Sequence, residues 1–207
     1  MNTRTLLVGS RLVLGSLVLV AIIIQALYLY QNNALNIVNY FSYFTNISNV
    51  LAGLVLIVSA IYLAKSRKAS QVDDLIRGGV TLYMAVTGAV YVTLLVNEDL
   101  GLLMPWVNMV LHIVMPLAIF ADWLYQPPRT KLRLKQIAYW LVFPFIFLVY
   151  TLVRGAAINW YPYPFLNPDK VGGYGGVGLY CIVILIAFFV LGWLLIKLSQ
   201  KFRRHIA

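Results

Sequence analysis

The sequence predicts an all-α polytopic membrane protein, a single bundle of six transmembrane helices with both termini cytoplasmic. Three observations predict it. First, 62% of the 207 residues are hydrophobic and only 11% charged, with a mean hydropathy of +0.85. A soluble domain is about half apolar and a quarter charged. Second, six apolar runs, at 12–30, 41–64, 79–96, 105–125, 137–153 and 175–196, are each long enough to cross a bilayer as a helix of about 20 residues. Third, all but Arg154 and Lys170 of the 16 basic residues fall on one side of that arrangement. Such an excess marks the cytoplasmic side. It also excludes nucleic acid as the partner of the +10 net charge, because the cations cap apolar runs and set orientation.

The first run follows Arg4 and Arg11 and is long enough to remain as a span, so no cleavable leader is expected. Short connections make sequential spans antiparallel neighbours in one domain covering 1–207. The outer loops are 31–40, 97–104 and 154–174. The second of these carries Glu98 and Asp99. No internal repeat supports the inverted-repeat plan of many transporters. Cys181 sits alone in an apolar run, and two distant histidines without a CxxC pair give no metal spacing. Neither metal nor cofactor is expected.

The second run opens with Phe41-Ser42-Tyr43-Phe44-Thr45-Asn46-Ile47-Ser48-Asn49. At about 100° per residue, Ser42, Thr45, Asn46 and Asn49 share one face of a continuous helix. Polar side chains inside a membrane must face protein or a wet cavity. Here they are either glue between helices or part of a chemical site. Asn46-Ile47-Ser48 matches a glycosylation sequon, which at membrane depth is a chance match.

The fourth run holds His112, with Asn108 one turn earlier on the same face. An ionisable group there is either functional or satisfied by a neighbouring helix. Helix rise places Thr45 about 7 Å and His112 about 10 Å from the outer ends of their spans, at a common level. A hydroxyl level with an imidazole is the minimum for a base-activated nucleophile. Asp122 falls about 15 Å lower and is expected to pair with Arg129 or Lys131, or to end the helix. Tyr83, Thr87 and Tyr91, at i+4 spacing in the third run, supply packing and hydrogen bonds. Arg154, one turn after Tyr150, is either an interfacial anchor or a clamp for a fatty carboxylate. The segment from Asn159 to Pro168, rich in aromatics and prolines, is an interfacial belt or a lid over an outward-facing cavity.

Tyr43-Phe44-Thr45, His112-Ile113-Val114-Met115-Pro116 and Trp160-Tyr161-Pro162-Tyr163-Pro164-Phe165-Leu166 together resemble the androgen-induced-gene family of multi-spanning membrane proteins and its small bacterial relatives. The resemblance implies a hydrolase of fatty acid esters of hydroxy fatty acids, with Thr45 as nucleophile and His112 as base. This chain lacks long loops and carries an extra Tyr-Pro. On that reading Asn46, Asn49 or Asn108 would supply oxyanion donors, because backbone N–H groups inside a helix are already bonded. Ser42, Tyr91, Tyr150 and Arg154 would contact the substrate, a lipid of the bacterial cytoplasmic membrane, from the outer leaflet. A transporter or lipid-binding protein using the same cavity is the alternative, and a purely structural membrane protein is a third.

Overall fold

The computed structural model of the protein describes residues 2–98 and 101–203, so Asp99 and Arg204 lie outside the described residues. Among the described residues there is no strand. Six helices are long and apolar enough to cross a membrane: Thr3–Gln31, Phe44–Ala64, Gln71–Leu95, Pro105–Tyr125, Lys135–Ile158 and Tyr174–Arg203. They are called the first to sixth spans below.

Several spans outrun the apolar runs that announce them, because local chemistry starts a helix before hydropathy rises. Asn2 caps the first span by accepting from the Arg4 N–H at 3.2 Å. Ser70 and Asp73 form a reciprocal capping box that starts the third span at Gln71 rather than at residue 79. The fifth span continues through Arg154 to Ile158 and stops at Asn159, whose φ of 51° is left-handed.

The third span is the axis of the bundle. In its most apolar window 56% of residues are buried, against 11% for the fifth span, which lies at the periphery. Trp140 of the fifth span lies against Gly78, where a Cβ would collide with the indole ring. Its Nε1–H donates to the carbonyl of Leu75, and the Tyr83 hydroxyl donates to the carbonyl of Trp140. The first and second spans pack through Gly15, where a Cβ would approach the Gly53 carbonyl oxygen to 2.9 Å. Small residues at such crossings let backbones approach closely and gain dispersion contacts.

The two ends of the bundle differ in chemistry. One carries the start of the first span at Thr3, the end of the sixth at Arg203 and the connections 65–70 and 126–134; we call it the basic end. There Arg4 donates to the carbonyls of Leu63 and Ala64, and Arg203 to the carbonyl of Arg129. Asp122 does not pair with Arg129 or Lys131, as its sequence neighbourhood suggests. It accepts Nε and Nη2 of Arg11 at 2.6 and 3.0 Å, and Nη2 of Arg77 at 3.0 Å. Arg11 is 2% exposed, so this basic residue ties the first span to the fourth instead of facing water, and Arg77 ties in the third through the same carboxylate. Helix geometry brings the three together across 111 and 45 residues of chain, which no local pattern encodes.

The opposite, aromatic end carries a short helix, Ile37–Phe41, the described residues 96–98 and 101–104 and the segment 159–173. Tyr40 there donates to the carbonyl of Ile22, and Gln25 bonds the backbone of Leu102 and Met104.

Candidate functional site

The second span does not run unbroken through the polar stretch. The short helix ends at Ser42, Tyr43 is extended, and a new helix starts at Phe44. Ser42 therefore leaves the stripe: its hydroxyl donates to the Val38 carbonyl at 2.7 Å and lies 2.8 Å from the Tyr150 hydroxyl. Thr45 falls in the first turn of the new helix, where backbone N–H groups have no partner within the helix. This corrects the expectation that every backbone donor here is already used. The Thr45 N–H donates to the Tyr163 hydroxyl at 3.2 Å, and the Thr45 hydroxyl lies 3.3 Å from the same phenol. Burial pushes the Tyr163 phenol up to about 12, so it keeps its proton at neutral pH and remains a donor.

Tyr163 reaches this position because the aromatic segment folds into the bundle. Tyr43 meets Trp160 and Tyr163 edge to face at 5.8 and 5.7 Å, and Tyr163 stacks on Phe165 at 5.1 Å. Tyr163, Phe165 and Leu166 are buried. Tyr163 and Phe165 form part of the wall of an apolar cavity, and Trp160 and Tyr161 do not.

His112 lies in a π-helical turn, Val110–Val114, between two α-helical parts of the fourth span. The cause is local. Pro116 has no N–H to offer the His112 carbonyl four residues back, and the backbone widens there, with Met115 N–H bonding the Val110 carbonyl. The His112 Nδ1 is 3.1 Å from the Asn108 carbonyl, which only accepts. In the neutral ring Nδ1 therefore carries the proton and Nε2 keeps its lone pair. Tyr91 stacks on the imidazole at 4.3 Å, and its hydroxyl accepts from Asn108 Nδ2 at 2.8 Å.

Asn49 joins the two helices at this level. Its Nδ2 donates to the Thr45 carbonyl at 2.9 Å and to the Leu111 carbonyl at 3.1 Å. Thr45 and His112 thus sit on adjoining helices, 7% and 6% exposed, although no hydrogen bond joins them among the described residues. The amide nitrogens expected as oxyanion donors are engaged: Asn46 with the Tyr40 carbonyl, Asn49 and Asn108 as above. The buried Asn49 Oδ1, Asn108 Oδ1 and Thr87 Oγ1 have no partner.

A cavity of about 630 Å³ lies against this cluster. Its polar lining is Thr45, Thr87 and Tyr163, and the remainder is almost wholly apolar, with Phe44, Leu148 and Phe188 among it. His112, Tyr91, Ser42, Tyr150 and Arg154 do not line it. Arg154 donates to Asn39 Oδ1 at 2.6 Å and its guanidinium lies 5.1 Å over the Trp160 ring. Tyr150 is 42% exposed and holds Ser42. Sequence reasoning missed Tyr163 and Thr87 as site residues. The available signal for Tyr163 was a tyrosine fixed between Pro162 and Pro164 beside two further rings. Among the described residues no group of three or more His, Cys, Asp or Glu side chains gathers as a metal site.

No family model, curated protein or solved structure matches the chain. The class that the fold and site define is an all-helical membrane protein, built on six apolar helices, with a buried polar cluster beside an apolar cavity.

Proposed function

We propose that the protein is an intramembrane hydrolase of lipidic esters, with Thr45 as nucleophile and His112 as general base. One observation carries this reading: Thr45 borders an apolar cavity of about 630 Å³ at a helix start, where its backbone N–H has no partner within the helix and donates only to the Tyr163 phenol, 3.3 Å from the Thr45 hydroxyl. The acyl chain occupies the cavity with its carbonyl at Thr45. The Thr45 Oγ1–H bond breaks as Oγ1 bonds the carbonyl carbon, and the proton passes to His112 Nε2, directly or through one water. The oxyanion forms beside the Thr45 N–H and the Tyr163 hydroxyl, and each such donor is typically worth about 3 kcal/mol at the transition state. The alcohol departs with the proton from His112, and water then hydrolyses the acyl-threonine by the reverse proton route.

The resemblance to the androgen-induced-gene family supports the same two residues and suggests fatty acid esters of hydroxy fatty acids, or similar esters, as substrate. The positive-inside pattern supports a basic end in the cytoplasm and a site in the outer leaflet of a bacterial cytoplasmic membrane. A second reading, a lipid-binding or transport protein without hydrolysis, draws on the position of His112, which lies off the cavity and unbonded to Thr45.

Hydrolysis of a fluorogenic long-chain ester by purified protein separates the two. Native protein should turn the ester over, Thr45→Ala and His112→Ala should not, and Thr45→Ser should retain part of the activity. Native turnover by Thr45→Ala would refute the nucleophile assignment.

A further inference from the structure

The basic end holds a second cavity, of about 1250 Å³, lined in part by Arg11, Arg67, Arg77, Arg129 and Arg203. Arg11 and Arg77 are both bound to Asp122. Among the described residues Arg67, Arg129 and Arg203 have no ion-pair partner. The two carboxylates of the cavity wall make no ion-pair contact with them: Asp73, held in the capping box, acts on Arg67 only through space, and Asp74 is bound to Thr130. These three arginines, none in a salt bridge among the described residues, line the same cavity. Arg203 donates to the Arg129 carbonyl at 3.3 Å, Thr130 beside Arg129 bonds Asp74, and Arg67 lies 3.9 Å over Tyr62, which also lines the cavity. A concave surface with an excess of cations focuses its field on an anion.

Asp74 adds a second, independent indication. It is 0% exposed, and its Oδ2 accepts both Thr130 N–H and Thr130 Oγ1–H at 2.9 Å. Its Oδ1 is buried without a partner, a costly state for a carboxylate oxygen unless a donor arrives from the cavity it lines. The fitting ligand is therefore an anion that also carries a donor. Tyr125 and Phe202, 54% and 38% exposed, flank the same cavity and offer apolar surface to chains continuous with the bilayer.

We propose that this cavity binds a glycerophospholipid head group bearing a hydroxyl or ammonium arm. Its phosphate engages Arg67, Arg129 and Arg203, and its arm donates to Asp74 Oδ1. This site is independent of the reading of Thr45.

Thermal unfolding of the full chain in lipid-doped detergent micelles tests it. Phosphatidylglycerol should raise the midpoint most. Phosphatidylmethanol, of equal charge but without a donor arm, should raise it less, and phosphatidylcholine should leave it unchanged. In Arg67→Gln/Arg129→Gln the half-saturating phosphatidylglycerol fraction should rise roughly tenfold or more, the loss of two charge-assisted contacts weakened by their exposure to solvent. Lys131→Gln/Lys197→Gln removes the same charge outside the cavity and should keep the native response. Equal losses in the two double variants would reduce the effect to general surface attraction and overturn the site. Equal shifts by phosphatidylglycerol and phosphatidylmethanol would overturn the Asp74 contact. A matching shift from soluble glycerol phosphate would overturn the lipid assignment in favour of a soluble phosphate ester.

Discussion

The two ends of the bundle both bury polar side chains, and they treat them differently. At the basic end the deepest ionised groups close on one another, with Arg11 and Arg77 sharing the carboxylate of Asp122. At the aromatic end neutral groups keep spare capacity. Asn49 Oδ1, Asn108 Oδ1 and Thr87 Oγ1 are buried without partners, and the Thr45 N–H is held only by a phenol at 3.2 Å. Saturated buried groups fix helices to one another, whereas unsaturated ones are costly unless a ligand or water completes them. The difference separates a structural tie from a site that can bind and react. Asp74 Oδ1 and Trp123 Nε1 are exceptions towards the basic end, and Asp74 lines the second cavity.

The contrast is broken most easily at the tie. Asp122→Asn removes the carboxylate that both buried guanidinium groups contact, leaving Arg77 only the more distant charge of Asp74, and removing one partner of a buried pair typically costs about 3–5 kcal/mol. The expected outcome is a large fall in the unfolding midpoint of purified protein. An unchanged midpoint would mean that the tie contributes nothing to stability.

Tyr163→Phe sharpens the other side of the comparison. It removes one hydroxyl from Thr45 and leaves the stacked ring on Phe165. Ester turnover should fall by roughly a hundred- to a thousandfold, while the Thr45 N–H left without its acceptor should lower stability by only about 1–3 kcal/mol. A large loss of stability with unchanged turnover per folded molecule would place Tyr163 with the structural groups. The smallest effect is expected at Arg154→Gln. The guanidinium is engaged by Asn39 and Trp160 and does not line the cavity. KM values for a carboxylate-bearing ester and a neutral ester should therefore shift together. A selective rise for the carboxylate ester would restore the clamp suggested by sequence.

The number and order of the spans are legible in hydropathy, because apolar runs of this length have few other uses. Helix starts are less so, since a capping box such as Ser70–Asp73 begins a helix in polar sequence. Thr45, Asn49 and His112 stand out because polar groups are rare in membrane runs. The break at Tyr43 is hidden, because no proline or glycine marks it between Phe41 and Thr45. That break matters most: it turns Thr45 from a mid-helix side chain into a first-turn residue whose backbone donor is left to the Tyr163 phenol. The Asp122 tie and the Tyr163 contact join residues more than a hundred positions apart, and only the packed bundle reveals them.

The central claim is that the Thr45 hydroxyl is an activated nucleophile. A fluorophosphonate probe bearing an alkyl chain reports this directly, since it phosphonylates an activated hydroxyl and is located by peptide mass spectrometry. Native protein should carry the adduct on Thr45, and Thr45→Ala should carry none. His112→Ala should label far more slowly, because no base then accepts the proton. A native protein that remains unlabelled, or one whose adduct maps to Ser42 or Tyr163 instead, would contradict the account.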